Sequence, residues 1–304
     1  MSRPAGGPRR RDCRANRDWP SVTGWCLPSP DLSRYRRDVA IDLNADLGEE
    51  TSGEIGDVSR HLLDIVSSAN VACGGHAGDV DTMAAVCDLA VQRRIAIGAH
   101  ISYPDREGFG HRPMVIEESA LVHQLVGQIG LLDGIALAAG SAVTYVKAQG
   151  ALYTKSVDDP RVAELIIAAL GQFRSETGRS LAVLCLPRSK LLVAATAVGL
   201  AAFSEAFADR AYTPAGGLVP RDQPGAVITD PGVAVARLQQ LIRNDEIVAI
   251  DGSTIEVRAR SICIHSDTRG AVLLARRLRS AIDSERIRIA PFAPPPRPIQ
   301  STTD

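Results

Sequence analysis

The residues best suited to chemistry lie in one short segment of the chain, VSSANVACGGHAGD. Its apolar, β-branched start predicts a buried strand, and its end carries Gly74, Gly75, His76, Gly78 and Asp79. Glycines allow a sharp turn and let the backbone come close to a ligand. His76 and Asp79 add a titratable ring and a carboxylate just after the strand. This pattern is typical of an active-site loop.

Polar side chains follow the other predicted strands in the same way. They are Asn44, Asp46 and Glu49 after the first strand, His100, Tyr103, Asp105 and Arg106 after the third, Lys147, Gln149 and Tyr153 after the fourth, Glu205, Asp209 and Arg210 after the sixth, and His265 and Asp267 after the seventh. In parallel α/β folds these strand ends share one face, and that face carries the ligand site. The sequence therefore predicts one site built from six strand ends.

The residue types narrow the chemistry of that site. Asp46, His76 and His100 suit an open metal site with three protein ligands and a position left for water. They suit a hydrogen-bonded network without metal equally well, so both remain open. Lys147 is one of only three lysines beside 31 arginines, which indicates a need for a compact charge that binds phosphate or an oxyanion. The glycine-rich loop around Phe109 is predicted to be flexible and to close over a ligand.

The elements that position these residues alternate along the chain. Predicted strands are 39–43, 69–73, 95–99, 143–147, 181–186, 200–204 and 261–265, and predicted helices are 80–93, 117–139, 159–173, 189–198, 231–243 and 268–282. Such alternation indicates parallel strands joined by crossover helices, in either a barrel or a doubly wound sheet.

Composition limits the class of protein. The 304 residues are 45% hydrophobic with a net charge of −1, which does not suit a nucleic-acid-binding protein. The longest apolar run, 191–203, is too short to span a membrane, and no secretory signal is recognisable, so we expect a cytoplasmic protein. P-loop, nucleophile-elbow and H-E-x-x-H motifs do not occur in the sequence.

The two ends of the chain differ from its middle. Residues 1–37 are rich in Arg, Pro and Gly without periodicity, and we predict a disordered extension, for which a start codon placed too early is one explanation. Residues 291–304 form a Pro-rich stretch, predicted to be a disordered tail. The prediction is therefore one folded domain over residues 38–290.

Seven motifs resemble the LamB/YcsF family, which contains the A subunit of prokaryotic 5-oxoprolinase. They are IDLNADLGEE (41–50), SSANVACGGHAGD (67–79), IGAHISYPDREGFGHR (97–112), VKAQGALY (146–153), EAFADRAY (205–212), LVPRDQPGAVI (218–228) and ICIHSD (262–267). The likeness implies a (β/α) barrel of about seven parallel strands, similar to the glycoside hydrolase/deacetylase group. It also implies ATP-dependent opening of 5-oxo-L-proline to L-glutamate, with ATP and Mg²⁺ as cofactors and B and C subunits as partners.

The resemblance also organises the candidate residues by role. Catalytic candidates are Asp46, His76, His100 and Lys147, and a divalent metal in the barrel mouth would be bound by Asp46, His76 and His100. Substrate-binding candidates are Asn44, Asn70, Asp79, Asp105, Arg106, Gln149, Tyr153, Glu205, Arg210 and His265. Asp209 is expected to have a structural role in the loop after the sixth strand.

Five positions depart from the family pattern. Gly75 replaces an aromatic residue, Ile101 a proline and Ser266 a glycine, while Ala148 and Gln149 replace a Pro-His pair. An amide cannot accept a proton near neutral pH, so Gln149 raises the alternative of a non-catalytic module that binds a lactam or an amino acid. Gly75 is expected to enlarge the pocket. A third alternative, from fold analogy alone, is a metal-dependent deacetylase.

Overall fold

Seven parallel strands close into a barrel in the computed structural model, which describes residues 40–50 and 55–296. In order around the barrel they are β1 (Asp42–Leu47), β2 (Ser68–Ala72), β3 (Ala96–Ile101), β4 (Val143–Ala148), β5 (Ala182–Cys185), β6 (Ala202–Phe207) and β9 (Ser261–Ile264), with β9 paired to β1. The barrel predicted from the family resemblance is confirmed, and the doubly wound alternative is excluded. The predicted extension over 1–37 lies outside the described residues.

Helices fill the crossovers between the strands, and one more helix follows the last strand. They are α1 (Asp57–Leu63), α2 (Val80–Arg93), α3 (Glu118–Ala138), α4 (Gly150–Asp158), α5 (Pro160–Thr177), α6 (Lys190–Ala197), α7 (Pro231–Asn244) and α8 (Ala271–Ser284). Antiparallel strands β7 (Glu246–Val248) and β8 (Thr254–Glu256) form a separate hairpin before β9. All six predicted helices are present, whereas α1, α4 and the hairpin were not predicted.

Side-chain capping explains where several helices begin. Asp79 accepts a hydrogen bond from Thr82 N (2.8 Å) at the start of α2, and Ser189 accepts one from Leu192 N (3.1 Å) at the start of α6. Asp159 and Asp230 cap α5 and α7, each followed by a proline whose missing N–H costs nothing at that position.

The strands are buried on both faces, as expected for a parallel barrel covered by helices. Alternate residues such as Leu43 and Val71 point outward into one apolar layer shared with the helices. Helix α3 is long and apolar enough by composition to span a membrane, yet Leu125, Ile129 and Leu132 are fully buried in this layer. We therefore describe α3 as a helix of the barrel's outer layer.

Polar residues line the mouth of the barrel, and its amino end combines a buried carboxylate, Asp42, with a small apolar cluster. Ala96, Tyr145, Ala182 and Leu184 form a small inner cluster, and Phe292 packs against it with its ring centroid 4.7 Å from that of Tyr145. The backbone carbonyl of Ala293 accepts a hydrogen bond from Thr144 Oγ1 (3.0 Å). The stretch predicted as a tail thus begins with residues that contact the barrel, and residues 297–304 lie outside the described part of the chain.

Candidate active site

The polar mouth of the barrel lies at the carboxyl ends of the strands, and strand register brings its residues together. Asp46 is paired with Asn70 across β1 and β2, and His100 is paired with Lys147 across β3 and β4. Side chains at paired positions of neighbouring strands point to the same face. Contacts of Asp46 with Lys147 (3.0 Å) and with His100 (3.6 Å) join the two pairs into one polar layer inside the mouth.

Lys147 is the cation at the centre of this layer. Its Nζ lies 3.0 Å from Asp46 Oδ1, 3.2 Å from Glu205 Oε2 and 3.0 Å from Cys263 Sγ, and its side chain is 3% exposed. Burial opposes its charge, but the carboxylates facing it raise the pKa of Lys147 well above its usual value. The ammonium was predicted to bind phosphate or an oxyanion; in the structure it is held by Asp46 and Glu205.

Amide side chains complete the network around Asp46. Asn70 Nδ2 donates to Asp46 Oδ1 and to Asn44 Oδ1, both at 2.7 Å, and Tyr145 OH donates to Asn70 Oδ1 at 2.7 Å. Burial alone would raise the pKa of Asp46, but the charge of Lys147 holds it well below its usual value. Asp46 is therefore a carboxylate with one oxygen fully engaged and with Oδ2 facing the mouth.

Two buried imidazoles face that free oxygen and Glu49. His76 Nε2 lies 3.2 Å from Glu49 Oε1, and His100 Nε2 lies 3.6 Å from Asp46 Oδ2 and 4.0 Å from Glu49 Oε1. The rings meet edge to face with centroids 5.3 Å apart. Burial lowers the pKa of His76 despite the nearby Glu49, so its ring favours the neutral form. Glu49 was noted among the polar residues after the first strand, but it was given no catalytic, substrate-binding or metal-binding role.

A second imidazole–carboxylate pair lies on the other side of the mouth. His265 Nδ1 is 2.9 Å from Asp209 Oδ2, which also accepts a hydrogen bond from Thr268 Oγ1 (2.9 Å). The ring stacks on Phe207 with centroids 5.3 Å apart. Burial opposes the imidazolium, but Asp209 raises the pKa of His265 above its usual value. Asp209 was expected to have only a structural role, and its partner was not foreseen because His265 is 56 residues away.

Several predicted substrate-binding residues have partners within the fold. Asp79 caps α2; Asp105 accepts hydrogen bonds from Gly108 N, Arg112 N and Arg112 Nε; and Arg106 donates to the carbonyls of Gly74 and Gly78. Arg210 donates to the carbonyls of Val219 and Ala226. These contacts hold the loops around the mouth, and binding of a ligand by the four side chains stays a prediction.

Gln149 and Tyr153 lie where the fourth strand meets its helix. Gln149 is the N-cap residue of α4 and is half-buried beside Gly110. Tyr153 is buried, and its hydroxyl has no hydrogen-bond partner among the described residues. Burial and then the charge of Glu205 raise the pKa of Tyr153 well above its usual value, so the phenol stays protonated.

The expectation that Gly75 enlarges the pocket is wrong. A Cβ placed at Gly75 would lie 2.6 Å from Gln128 Oε1 and in collision with Ser102 Oγ. Gln128 is held there because Ser102 N donates to its Oε1 (3.0 Å) and its Nε2 donates to Ser102 O (2.9 Å). Gln128, on α3, therefore occupies the space that a side chain at position 75 would need.

Arg221 is a further mouth residue that the sequence did not single out. Its Nη1 lies 2.7 Å from Asp267 Oδ2, and its side chain is 35% exposed. Its charge helps to lower the pKa of His111, although burial contributes more. Arg221 lies within the motif 218–228, but motif membership alone did not distinguish it from its neighbours.

Comparison with known proteins identifies the family. Residues 41–296 match the LamB/YcsF family. The chain is 49% identical over 254 residues to a protein of Streptomyces avermitilis named as the A subunit of 5-oxoprolinase, covering 83% of this chain and 100% of that protein. It is 48% identical over 254 residues to the protein of the same name from Paracidovorax citrulli, covering 83% and 99%.

A solved structure agrees with this relationship. The lactam utilization protein from Thermus thermophilus superposes with a TM-score of 0.76 at 34% identity, covering 84% of this chain and 100% of that one. Both the sequence matches and this superposition extend over almost the full length of the relatives. The chain belongs to the LamB/YcsF family.

Proposed function

We propose that this protein is the A subunit of a 5-oxoprolinase, which opens the lactam of 5-oxo-L-proline with water to form L-glutamate. The observation that carries the proposal is the joint presence of Asp46 and the Asp209–His265 pair at one mouth, in a chain 49% identical to a protein named for this activity. The lactam utilization protein from Thermus thermophilus, by its name, supports the same substrate class.

The chemistry requires two proton movements. Water must lose a proton as its oxygen attacks the ring carbonyl, and the ring nitrogen must gain one as the C–N bond breaks. A five-membered lactam is an unstrained, poor electrophile, so coupling to ATP makes the opening favourable. Phosphorylation of the amide oxygen would make the ring carbon a better electrophile; after water adds, the C–N bond breaks to leave an acyl phosphate, and a second water releases L-glutamate and phosphate.

His265 is suited to give the proton to the ring nitrogen. Asp209 orients the ring through Nδ1 and favours the imidazolium, so Nε2 carries the proton that can be donated. This arrangement resembles the carboxylate–imidazole pair of serine hydrolases in its orienting role, with the imidazole starting from its protonated form.

Asp46 is suited to receive the proton from water. Lys147 and Asn70 fix its Oδ1, which leaves Oδ2 as the accepting atom. Lys147 acts through Asp46 and is therefore a positioning residue. Arg221, the partly exposed cation of the mouth, is the group we expect to bind the substrate carboxylate.

The remaining features of the proposal concern the assembly. We propose that ATP with Mg²⁺ is consumed by a complex of this chain with B and C subunits, because the chain carries no P-loop motif. The relatives are named as one lettered subunit of an enzyme, which implies an assembly of this kind. We place the complex in the cytoplasm.

The test is glutamate release from 5-oxo-L-proline and ATP by this chain with and without its B and C subunits. We expect release only from the complete set, and a higher rate for Gln149→His if that position takes part in chemistry. Absence of turnover with cognate partners, together with measurable binding of 5-oxo-L-proline by calorimetry, would replace the enzyme with the non-catalytic binding module.

A further inference from the structure

We propose that Glu49, His76 and His100 bind one divalent transition-metal ion, with Zn²⁺ as the favoured ion. One ligand atom from each residue lies within 4.8 Å of the others, and all three lie at the mouth of the barrel. The inference concerns the same mouth as the proposed function and would specify its cofactor, but it rests on geometry that is independent of turnover. It replaces Asp46 with Glu49 in the predicted ligand set.

The first argument for a metal ion is the position of the proton on the His100 ring. Its Nδ1 lies 3.3 Å from the Lys147 carbonyl oxygen, which can only accept a hydrogen bond. Nδ1 therefore carries a proton, and Nε2 is the ring nitrogen that can present a lone pair to a metal ion. A backbone carbonyl that holds the second ring nitrogen is the usual support of a metal-binding histidine.

The surroundings of that lone pair are the second argument. His100 Nε2 is buried and has no hydrogen-bond partner among the described residues. It faces Asp46 Oδ2 at 3.6 Å and Glu49 Oε1 at 4.0 Å. A lone pair directed at two carboxylates in a buried site is unfavourable unless a cation lies between them.

The spacing of the donor atoms fits an ion. His76 Nε2 and Glu49 Oε1 are 3.2 Å apart, and His100 Nε2 is 4.0 Å from the same oxygen. Ligands about 2.1 Å from a tetrahedral zinc lie roughly 3.4 Å from one another. The ring of Phe109 covers His76, with centroids 5.4 Å apart, and fixes its orientation.

Asp46 is excluded as a principal ligand because Lys147 already neutralises it. Its Oδ1 is shared between Lys147 and Asn70, so only Oδ2 borders the proposed ion. The neighbouring group of Asp46, Cys263 and His265 also lies within 4.8 Å, but it surrounds the Lys147 ammonium, 3.0 Å from Cys263 Sγ. In this second group, the Lys147 ammonium already supplies the positive charge that a metal ion would bring.

The ligand set selects the kind of metal. Two imidazoles and one carboxylate suit zinc and its first-row neighbours better than Mg²⁺ or Ca²⁺, which prefer oxygen ligands. Three protein ligands leave a position for water, whose pKa a bound zinc lowers toward 7.

The experiment is metal binding to the full chain after treatment with a chelator. Calorimetric titration with Zn²⁺ and elemental analysis should give about one ion per chain, and Glu49→Gln or His76→Gln should weaken binding at least tenfold. His265→Gln is the matched control, since it removes an imidazole from the same mouth outside the ligand set. Its affinity should be unchanged.

Co²⁺ provides a measurement that does not depend on the folding of the ligand variants. The wild-type chain loaded with Co²⁺ should show the intense visible absorption of a tetrahedral site with nitrogen ligands. Failure of the wild type to bind either ion, or equal affinity in wild type and Glu49→Gln, would overturn the metal site. Glutamate release from metal-free protein with its partners would overturn only the metal's role, and the proposed function would stand.

Discussion

Lys147 is the residue that balances the charge of the site. It lies between two buried carboxylates, Asp46 and Glu205, whose own exposures are below 7%. Bringing three charges into an apolar barrel costs free energy, which their mutual attraction and the amide hydrogen bonds offset. The same contacts that stabilise the barrel interior therefore fix the orientation of Asp46.

Lys147→Met should destabilise the protein by about 3–5 kcal/mol, because it leaves two buried carboxylates without a counter-charge. The free energy of unfolding in urea is the appropriate measurement. Lys155→Met is the matched control, since Lys155 lies exposed on α4, and it should change stability by less than about 0.5 kcal/mol. Equal stability of the two variants would show that Lys147 does not balance these charges.

The Asp209–His265 pair should be visible in the pH dependence of the protein. Asp209 raises the pKa of His265 in the folded state above the value of about 6.5 expected when the chain is unfolded. The stability contributed by the charged ring is then complete below pH 6.5 and is lost as the pH rises through the folded pKa.

Asp209→Asn should lower the pKa of His265, measured by NMR titration of the ring protons, and should remove this loss of stability above pH 6.5. Asp64→Asn, which alters an exposed pair with Arg93, should leave the His265 titration unchanged. An unaltered pKa in Asp209→Asn would show that the carboxylate does not control the ring.

The types of the predicted helices and strands and their order along the chain agree with the structure, whereas their first and last residues agree less well. The first strand was predicted over 39–43 but runs from Asp42 to Leu47. The polar residues Asn44 and Asp46 resembled the start of a loop, although they point into a polar barrel interior. Glu205 was placed after β6 for the same reason and lies within it.

The contacts inside the site could not be predicted from the sequence, because they join residues far apart in the chain. Strand-end positions identified Asp46, His100 and Lys147, and their convergence followed from parallel topology. Which partner each side chain has depends on strand register and on the loops. Thus Asp105 was predicted to bind a ligand, although it organises its own loop.

That loop, residues 105–112, was predicted to be flexible, and its contacts in the structure hold it in place. Asp105 accepts from both Gly108 and Arg112, and Ala151 N donates to the Gly110 carbonyl (2.8 Å). Phe109 has a φ of 54°, a conformation that costs a non-glycine residue energy, and its ring contacts His76. The strained backbone at Phe109 therefore indicates a loop conformation that places this ring against His76 in the site.

Asp105→Ala should release the loop and make its backbone accessible to trypsin at Arg106, because the bond after Arg112 precedes Pro113 and resists trypsin. Limited proteolysis followed by mass spectrometry should show faster cleavage after Arg106 than in the wild type. Asp251→Ala, which removes a similar hydrogen-bond acceptor from an exposed turn, should not change cleavage in this loop. Identical cleavage of the wild type and Asp105→Ala would contradict the proposed role of Asp105.

At the scale of the whole molecule, the barrel is closed at one end and open at the other. Phe292 packs against Tyr145 and Phe203, with centroids 4.7 and 5.0 Å away, and covers the apolar cluster at the closed end. Phe292→Ala should therefore destabilise the protein by about 2 kcal/mol, less than a fully buried phenylalanine because Phe292 is partly exposed. Val115→Ala, at a fully exposed position, should be neutral in the same urea titration. Equal stability would show that residue 292 does not contribute to closing the barrel.

The reaction proposed for the open end of the barrel is the opening of a lactam ring with His265 as the proton donor. The most direct test is the initial rate of glutamate formation from 5-oxo-L-proline by the complex with B and C subunits, ATP and Mg²⁺. We predict that His265→Gln lowers this rate at least about 100-fold, in the range of general acid catalysis, while Val115→Ala retains it. A rate for His265→Gln equal to that of the wild type would show that His265 does not donate the proton.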